Sequence, residues 1–226
     1  MKVIERNIAL EQEFHTYYYH SLDWRNEIKY FDIPILQNPL DLWALQNILF
    51  KTKPEIIIEV GRAWGGLTIW LADALRVLIQ KDLNLKWFTV VPQIVSIDNK
   101  SNTYVPKDWV FTSDNLITYL DDNSLNDDII ESVRSFCTGV ERIMVILDSN
   151  HKKEHVLQEL AAYSQFVTFG NYLVVCDTNA STVIEDFGAG PKEAMDEFLV
   201  SNQNFKLDLS RDKFCGLTFN SYLVKT

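Results

Sequence analysis

The chain has few cysteines: Cys137, Cys176 and Cys215 stand far apart among 226 residues, with no paired spacing. That excludes a disulfide framework or a zinc ribbon and suits a reducing compartment. No apolar run reaches the ~20 residues of a membrane-spanning helix. Residues 1–10 mix charges with apolar side chains and form no signal core. A cytoplasmic setting is expected. Positive charge is also in deficit, with 21 Lys and Arg against 31 Asp and Glu, a formal charge of −10. That balance argues against nonspecific binding to nucleic acid or to an anionic membrane. Repeats and low-complexity tracts are missing too. The length suits one α/β domain with a short extension.

Glycine is sparse as well, eight in all, yet Gly61, Gly65 and Gly66 fall within six residues. They follow the β-branched run Ile56-Ile57-Ile58-Glu59-Val60 and precede an apolar helical pattern. This reads as a buried strand turning tightly into a helix N-terminus, the place where an α/β sheet holds a nucleotide-like cofactor.

From Pro54 onward strands and helices alternate. The pattern predicts strands at Glu55–Val60, Gln93–Ile97, Trp109–Thr112, Arg142–Leu147 and Asn171–Cys176. Helices are predicted at Gly66–Gln80, Lys152–Phe166 and Pro191–Ser201, with a helical stretch around the acidic turn Asp121-Asp122-Asn123. Two last strands, Phe205–Leu209 and Gly216–Val224, are separated only by Ser210–Cys215, too short for a crossover, so they should pair antiparallel. The expected fold is α/β: a mostly parallel, seven-stranded sheet with helices on both faces and a C-terminal antiparallel hairpin, Rossmann-like in the class I methyltransferase manner. Residues 1–50 read as a separate helical extension rich in aromatics (Phe14, Tyr17, Tyr18, Tyr19, Trp24, Tyr30, Phe31), suited to a lid or to self-association, before a cofactor domain over 51–226.

Glu59, Asp98, Asp148 and Asp177 each end a predicted strand, and such ends share one crevice in an open α/β sheet. Asp98 stands where an acid accepts hydrogen bonds from ribose hydroxyls. The turn is Gly-x-x-x-Gly-Gly, so the dinucleotide fingerprint fails, and Asp98 follows Gly61 at more than the NAD spacing. Both points favour S-adenosylmethionine over NAD. Glu59, Gly61 and Gly65 are expected at the methionine end, Asp98 at the ribose and Asp114 on the adenine side. Asp148 and Asp177 are the candidate metal pair, since two carboxylates suit a hard cation such as magnesium. Helix capping by Asp148 is the competing explanation. His151 is a candidate general base. His151-Lys152-Lys153-Glu154-His155 matches the inverted zinc-protease pattern, but it directly follows a buried strand, and His155 reads as a satisfied helix residue.

Several segments resemble one family. They are Pro34-Ile35-Leu36-Gln37-Asn38-Pro39-Leu40-Asp41-Leu42, Ile57-Ile58-Glu59-Val60-Gly61 with Gly65-Gly66, and Leu147-Asp148-Ser149-Asn150-His151. Leu173-Val174-Val175-Cys176-Asp177-Thr178, Gly190-Pro191-Lys192-Glu193-Ala194 and Leu217-Thr218-Phe219-Asn220 complete the set. In this order they resemble the cephalosporin hydroxylase family, which includes rhamnosyl O-methyltransferases. The resemblance implies S-adenosylmethionine, a magnesium site on Asp148 and Asp177 like that of catechol O-methyltransferases, and His151 in place of their lysine base. It also implies methyl transfer to a hydroxyl of a sugar or natural product, and a homo-oligomer. Cys176 stands where the family usually has a glutamate, and thiolate suits magnesium poorly. Glu185 or Asp186 could substitute, the two carboxylates could suffice, or the metal could be lost. A true hydroxylase would want an iron site, for which Asp148, His151 and His155 are available. A noncatalytic S-adenosylmethionine-binding subunit is the other alternative.

Overall fold

In the computed structural model of the chain, the residues described are 7–82, 87–88, 90–99, 115–211, 216 and 221–226. The N-terminal part contains α1 (Ile8–Ser21), the short α2 (Trp24–Glu27), a two-stranded hairpin β1 (Lys29–Tyr30) and β2 (Ile33–Pro34), and α3 (Pro39–Thr52). Asn38 caps α3, its side chain accepting from the Leu40 N–H, with Pro39 in the first turn.

The main sheet has seven strands in the order β5-β4-β3-β6-β7-β9-β8. The central strand β3 (Ile56–Val60) pairs in parallel with β4 (Gln93–Asp98) and β6 (Ile143–Leu147). β5 (Ile117–Asp121) extends one edge and β7 (Tyr172–Val175) the other. β8 (Phe205–Leu207) and β9 (Tyr222–Lys225) form the antiparallel end that the sequence predicts.

Strand alternation divides the core in two. Ile56, Ile58 and Val60 join one buried cluster with α5 (Asp127–Cys137), α6 (Lys153–Tyr163) and α8 (Pro191–Ser201), the last of which follows the one-turn helix α7 (Ala180–Val183). Ile57 joins the other with Ala44, Leu45, Ile48 and Leu49 of α3 and Leu67, Leu71 and Leu75 of α4 (Gly66–Lys81). Both faces of β3 are therefore dry, which is why it reads as an uninterrupted apolar run.

The structure departs from the sequence reading in places. Residues 117–121, expected within a helical stretch, form β5. Their run Ile-Thr-Tyr-Leu suits a pleated surface, and pairing with β4 satisfies their backbone. The helix begins only at Asp127. α6 ends at Tyr163, and Ser164–Phe166 tighten into a 3-10 turn. The final strand spans Tyr222–Lys225. The expected strand Trp109–Thr112 and Asp114 lie outside the described residues. The N-terminal hairpin was not foreseen, and α3 belongs to the main core.

Candidate active site

The ends of β3, β4, β5 and β6 open into a cavity of about 840 Å³. Its floor is the glycine turn. Gly61 has φ +97°, and a Cβ there would lie 2.1 Å from the Asp148 carbonyl oxygen. Only glycine lets the end of β3 press against the end of β6 in this way. Gly65 (φ +86°) is the left-handed residue preceding α4, and its N–H bonds the Arg62 carbonyl. Gly66 meets the N-terminal segment instead: a Cβ would come 2.5 Å from the Pro34 oxygen and from the Ile35 Cα.

Asp98 holds this turn. Its Oδ2 accepts from the Arg62 N–H at 2.8 Å and the Ala63 N–H at 2.6 Å, and its Oδ1 from Asn99 at 2.6 Å. It also lines the cavity, with one lone pair of Oδ1 left for a ligand. Arg62 carries the turn's one guanidinium. It is buried against the Tyr119 ring at 4.8 Å, donates to the Ser96 carbonyl at 2.9 Å and pairs with Asp121. Glu59 lies beneath the turn and is fully buried. Its Oε2 accepts from Thr68 Oγ1 at 2.6 Å and Ser96 Oγ at 2.5 Å, while Oε1 is buried without a hydrogen-bond partner among the described residues. Burial pushes its carboxyl up to about 7, against the opposing pull of those hydroxyls and of Arg62. Gly61 and Asp98 thus line the cavity, whereas Glu59 and Gly65 shape it from below.

The strand beside β4 ends at Asp121, so the loop closing that side is Asp122-Asn123-Ser124. The sequence reading placed the adenine side at Asp114, which lies outside the described residues.

On the opposite side, Asp148, His151 and Asp177 offer ligand atoms within 4.8 Å of one another. His151 Nε2 lies 3.3 Å from Asp177 Oδ2. Asp177 takes a left-handed φ of +51°, which Asp tolerates better than most residues. Asp148 is held well above the usual carboxylate range, first by loss of water and then by the charges of Asp177, Glu59, Asp41 and Glu159. Crowded carboxylates of this kind suit a hard cation. Cys176 is buried with Met144, Ile146 and Val174 on the α3 and α4 face, away from the three. Glu185 and Asp186 are exposed and are not in the group either.

His155 does not join Asp148 and His151. Its Nε2 bonds Glu159 Oε1 at 3.1 Å, one helical turn away, and this bond raises its pKa. Neither a zinc-protease pair nor a two-histidine iron set is formed, since each imidazole has its own carboxylate.

The N-terminal segment completes this side. Gln37 Nε2 donates to Asp148 Oδ2 at 2.6 Å, and the Tyr222 hydroxyl donates to Asp41 at 3.0 Å. α1 reaches α7, the short helix after β7, through His20 Nε2, 2.8 Å from the Val183 carbonyl. The Tyr19 hydroxyl is pushed up by burial and then by the Asp177 charge, so this α1 side chain lies within electrostatic reach of the three-residue group. Gln37 lies in a segment the sequence reading quoted, but nothing there linked it to Asp148. Arg62, Ser124, Ser149 and Glu159 were missed.

Strand order, glycine turn, strand-end acid and antiparallel edge together define a class I S-adenosylmethionine-dependent methyltransferase fold. The family model described as Rhamnosyl O-methyltransferase/CmcI matches residues 22–226, and the chain belongs to that family. It is 27% identical over 223 residues to a Rhamnosyl O-methyltransferase of Mycobacterium tuberculosis, covering 96% of this chain and 85% of the relative. It is 28% identical over 223 residues to that of Mycobacterium leprae, covering 96% and 91%. Among solved structures it is similar in fold to apo CmcI (TM-score 0.64, 15% identity, 89% of this chain and 77% of that one). It is also similar to TomG, an O-methyltransferase from Streptomyces achromogenes in complex with SAM (TM-score 0.54, 15% identity, 99% and 92%).

Proposed function

We propose that this chain transfers a methyl group from S-adenosylmethionine to a hydroxyl of a small sugar or natural-product acceptor, assisted by a divalent cation such as magnesium. The observation that carries the reading is the convergence of Asp148, His151 and Asp177 beside a cavity floored by the glycine turn. The size of that cavity and the position of Asp98 fit a nucleoside-linked cofactor. Asp98 would hold the ribose, and Gly61 would let the methionine end approach the turn. When bound, the cofactor supplies an activated methyl group.

The two carboxylates fit a hard divalent cation, with Asp148 facing other acids. Asp148 and Asp177 would hold it, and bound there a cation lowers the pKa of a coordinated hydroxyl. His151 would take the hydroxyl proton, and the Asp177 carboxylate 3.3 Å away would stabilise the imidazolium. Gln37 fixes the Asp148 carboxylate, and Tyr19 of α1 would help exclude water from the acceptor side. A sugar acceptor draws support from relatives named Rhamnosyl O-methyltransferase. Of residues 1–50, the part before α3 would serve as a lid or a self-association surface, with the protein acting in the cytoplasm as a homo-oligomer. The hydroxylase alternative loses its donor set to the His155–Glu159 pair. The noncatalytic alternative rested on Cys176, which lies outside the group.

Calorimetry with S-adenosylmethionine and with NAD, each with and without magnesium, tests the cofactor. Transfer of labelled methyl to deoxysugar glycosides tests the acceptor. Lack of saturable S-adenosylmethionine binding would sink the proposal.

A further inference from the structure

Glu159 is fully buried on α6, and its Oε1 gathers three hydrogen bonds. Ser124 Oγ donates at 2.7 Å from the loop after β5, Ser149 Oγ at 2.6 Å from the loop after β6, and His155 Nε2 lies at 3.1 Å. Ser124, Ser149 and His155 all line the main cavity. Glu159 Oε2 is buried without a hydrogen-bond partner among the described residues. One turn further along α6, the Tyr163 hydroxyl donates to the Ser124 carbonyl at 2.6 Å, so that serine is fixed through both backbone and side chain.

A serine hydroxyl has one proton, and an ionised carboxylate only accepts. With both serine protons committed to Glu159, what each serine turns to the cavity is lone pairs. The wall therefore has one polarity: it receives an N–H donor and opposes a carbonyl oxygen. Its place follows from the order of strand ends, β5-β4-β3-β6. With a ribose at Asp98 on β4 and the reacting methyl near Asp148 on β6, a base extends to the β5 side, where Ser124 stands.

Resting on the cofactor placement above, we propose that Glu159 is a positioning residue that sets the hydrogen-bond polarity of the base-binding wall, making the site select a 6-amino purine over a 6-oxo purine. The 6-amino group of adenine donates to this wall. Hypoxanthine puts an acceptor at position 6 and moves the donor to N1, so the serine acceptors meet a carbonyl oxygen where adenine gives them an N–H, and a site that leaves buried polar groups unpaired discriminates strongly.

The test is calorimetric binding of S-adenosylhomocysteine and S-inosylhomocysteine to the full chain. The wild type should prefer the adenosyl compound by about tenfold or more. Glu159→Gln presents a carboxamide that both donates and accepts, which frees the serine protons to turn. Its preference should fall to within about threefold while the adenosyl compound still binds. The Ser124→Ala/Ser149→Ala double variant keeps Glu159, removes both acceptors and should lose the preference likewise. It also carries the test if Glu159→Gln does not fold. Equal wild-type affinities, or variants that weaken both ligands while keeping their ratio, would overturn the inference, because a merely structural Glu159 does not move the ratio. A wild type that binds neither compound overturns the cofactor placement and this inference with it.

Discussion

Gln37 Nε2 donates to Asp148 Oδ2 at 2.6 Å, although 111 residues separate the two in sequence. Gln37 is only 5% exposed, so the bond is shielded from water. It ties the segment between the N-terminal hairpin and α3 to the end of β6, which makes that segment part of the site wall. A shielded hydrogen bond to a carboxylate contributes about 1.5–3 kcal/mol. Gln37→Ala should therefore lower methyl-transfer kcat/KM by about tenfold or more, at 1.4 kcal/mol per tenfold. S-adenosylhomocysteine affinity should stay near that of the wild type. Steady-state kinetics beside calorimetry checks this, and an unchanged kcat/KM would leave Gln37 a packing residue.

The crowding of acids around Asp148 has opposite consequences for stability and for function. Without a cation, Asp148→Asn relieves a desolvated carboxyl facing Asp177, Glu59, Asp41 and Glu159, while Gln37 can still donate to the amide oxygen. The metal-free variant should melt at or above the wild-type temperature. It should also lose manganese binding, followed by electron paramagnetic resonance, and about 10²-fold or more of methyl transfer, the scale on which a lost electrostatic stabiliser is felt. Transfer that survives undiminished would make the cation-assisted mechanism wrong.

Two glycines of the turn should fail for different reasons. Gly61→Ala forces a Cβ to within 2.1 Å of the Asp148 carbonyl at a φ of +97°, so β3 and β6 must part. A cost of about 3 kcal/mol or more is expected from strain and overpacking. At this chain length that lowers the melting temperature by about 6–12 °C. Gly66→Ala strikes Pro34 and Ile35 instead, so it should loosen the N-terminal segment with the sheet intact. Hydrogen exchange would separate them, with new exchange confined to residues 28–41 for Gly66→Ala and spread into β3 and β6 for Gly61→Ala.

The parallel strands, the glycine turn and the antiparallel end were legible because their signals are local: a β-branched run, a glycine cluster, a connection too short for a crossover. Asp148, His151 and Asp177 could be named because strand ends converge in any open α/β sheet. Residues 117–121 were misread because the acidic residues that follow obscured a five-residue strand that takes its stability from β4. Gln37, Arg62 and Glu159 were invisible for a different reason. Each acts through a partner brought near only by the fold: Gln37 on Asp148, Arg62 on Asp121 and the Ser96 carbonyl, Glu159 on Ser124 and Ser149. His155 and Glu159 are one turn apart, so that pair alone had a sequence signal, the i, i+4 spacing.

Glu59 makes stability depend on pH in a direction opposite to that of an ordinary paired acid. Its carboxyl is raised from 4.5 to about 7 by burial, so across that interval the folded chain holds a proton that the unfolded chain has released. The unfolded state then binds fewer protons, and stability falls as pH rises. The contribution is fully present below pH 4.5, is lost through the interval up to about 7, and is level above it. At 1.36 kcal/mol per unit, the full change is about 3 kcal/mol. Asp148 is raised as well and adds a slope of the same sign. In Glu59→Gln the amide oxygen can still accept from Thr68 and Ser96, but the titration is gone. Urea unfolding between pH 5 and 8 should therefore show a shallower decline for the variant, with the two proteins closest in stability at the acid end and the variant ahead at pH 8. Parallel curves would mean that Glu59 keeps its charge throughout and that Arg62 and the two hydroxyls outweigh its burial.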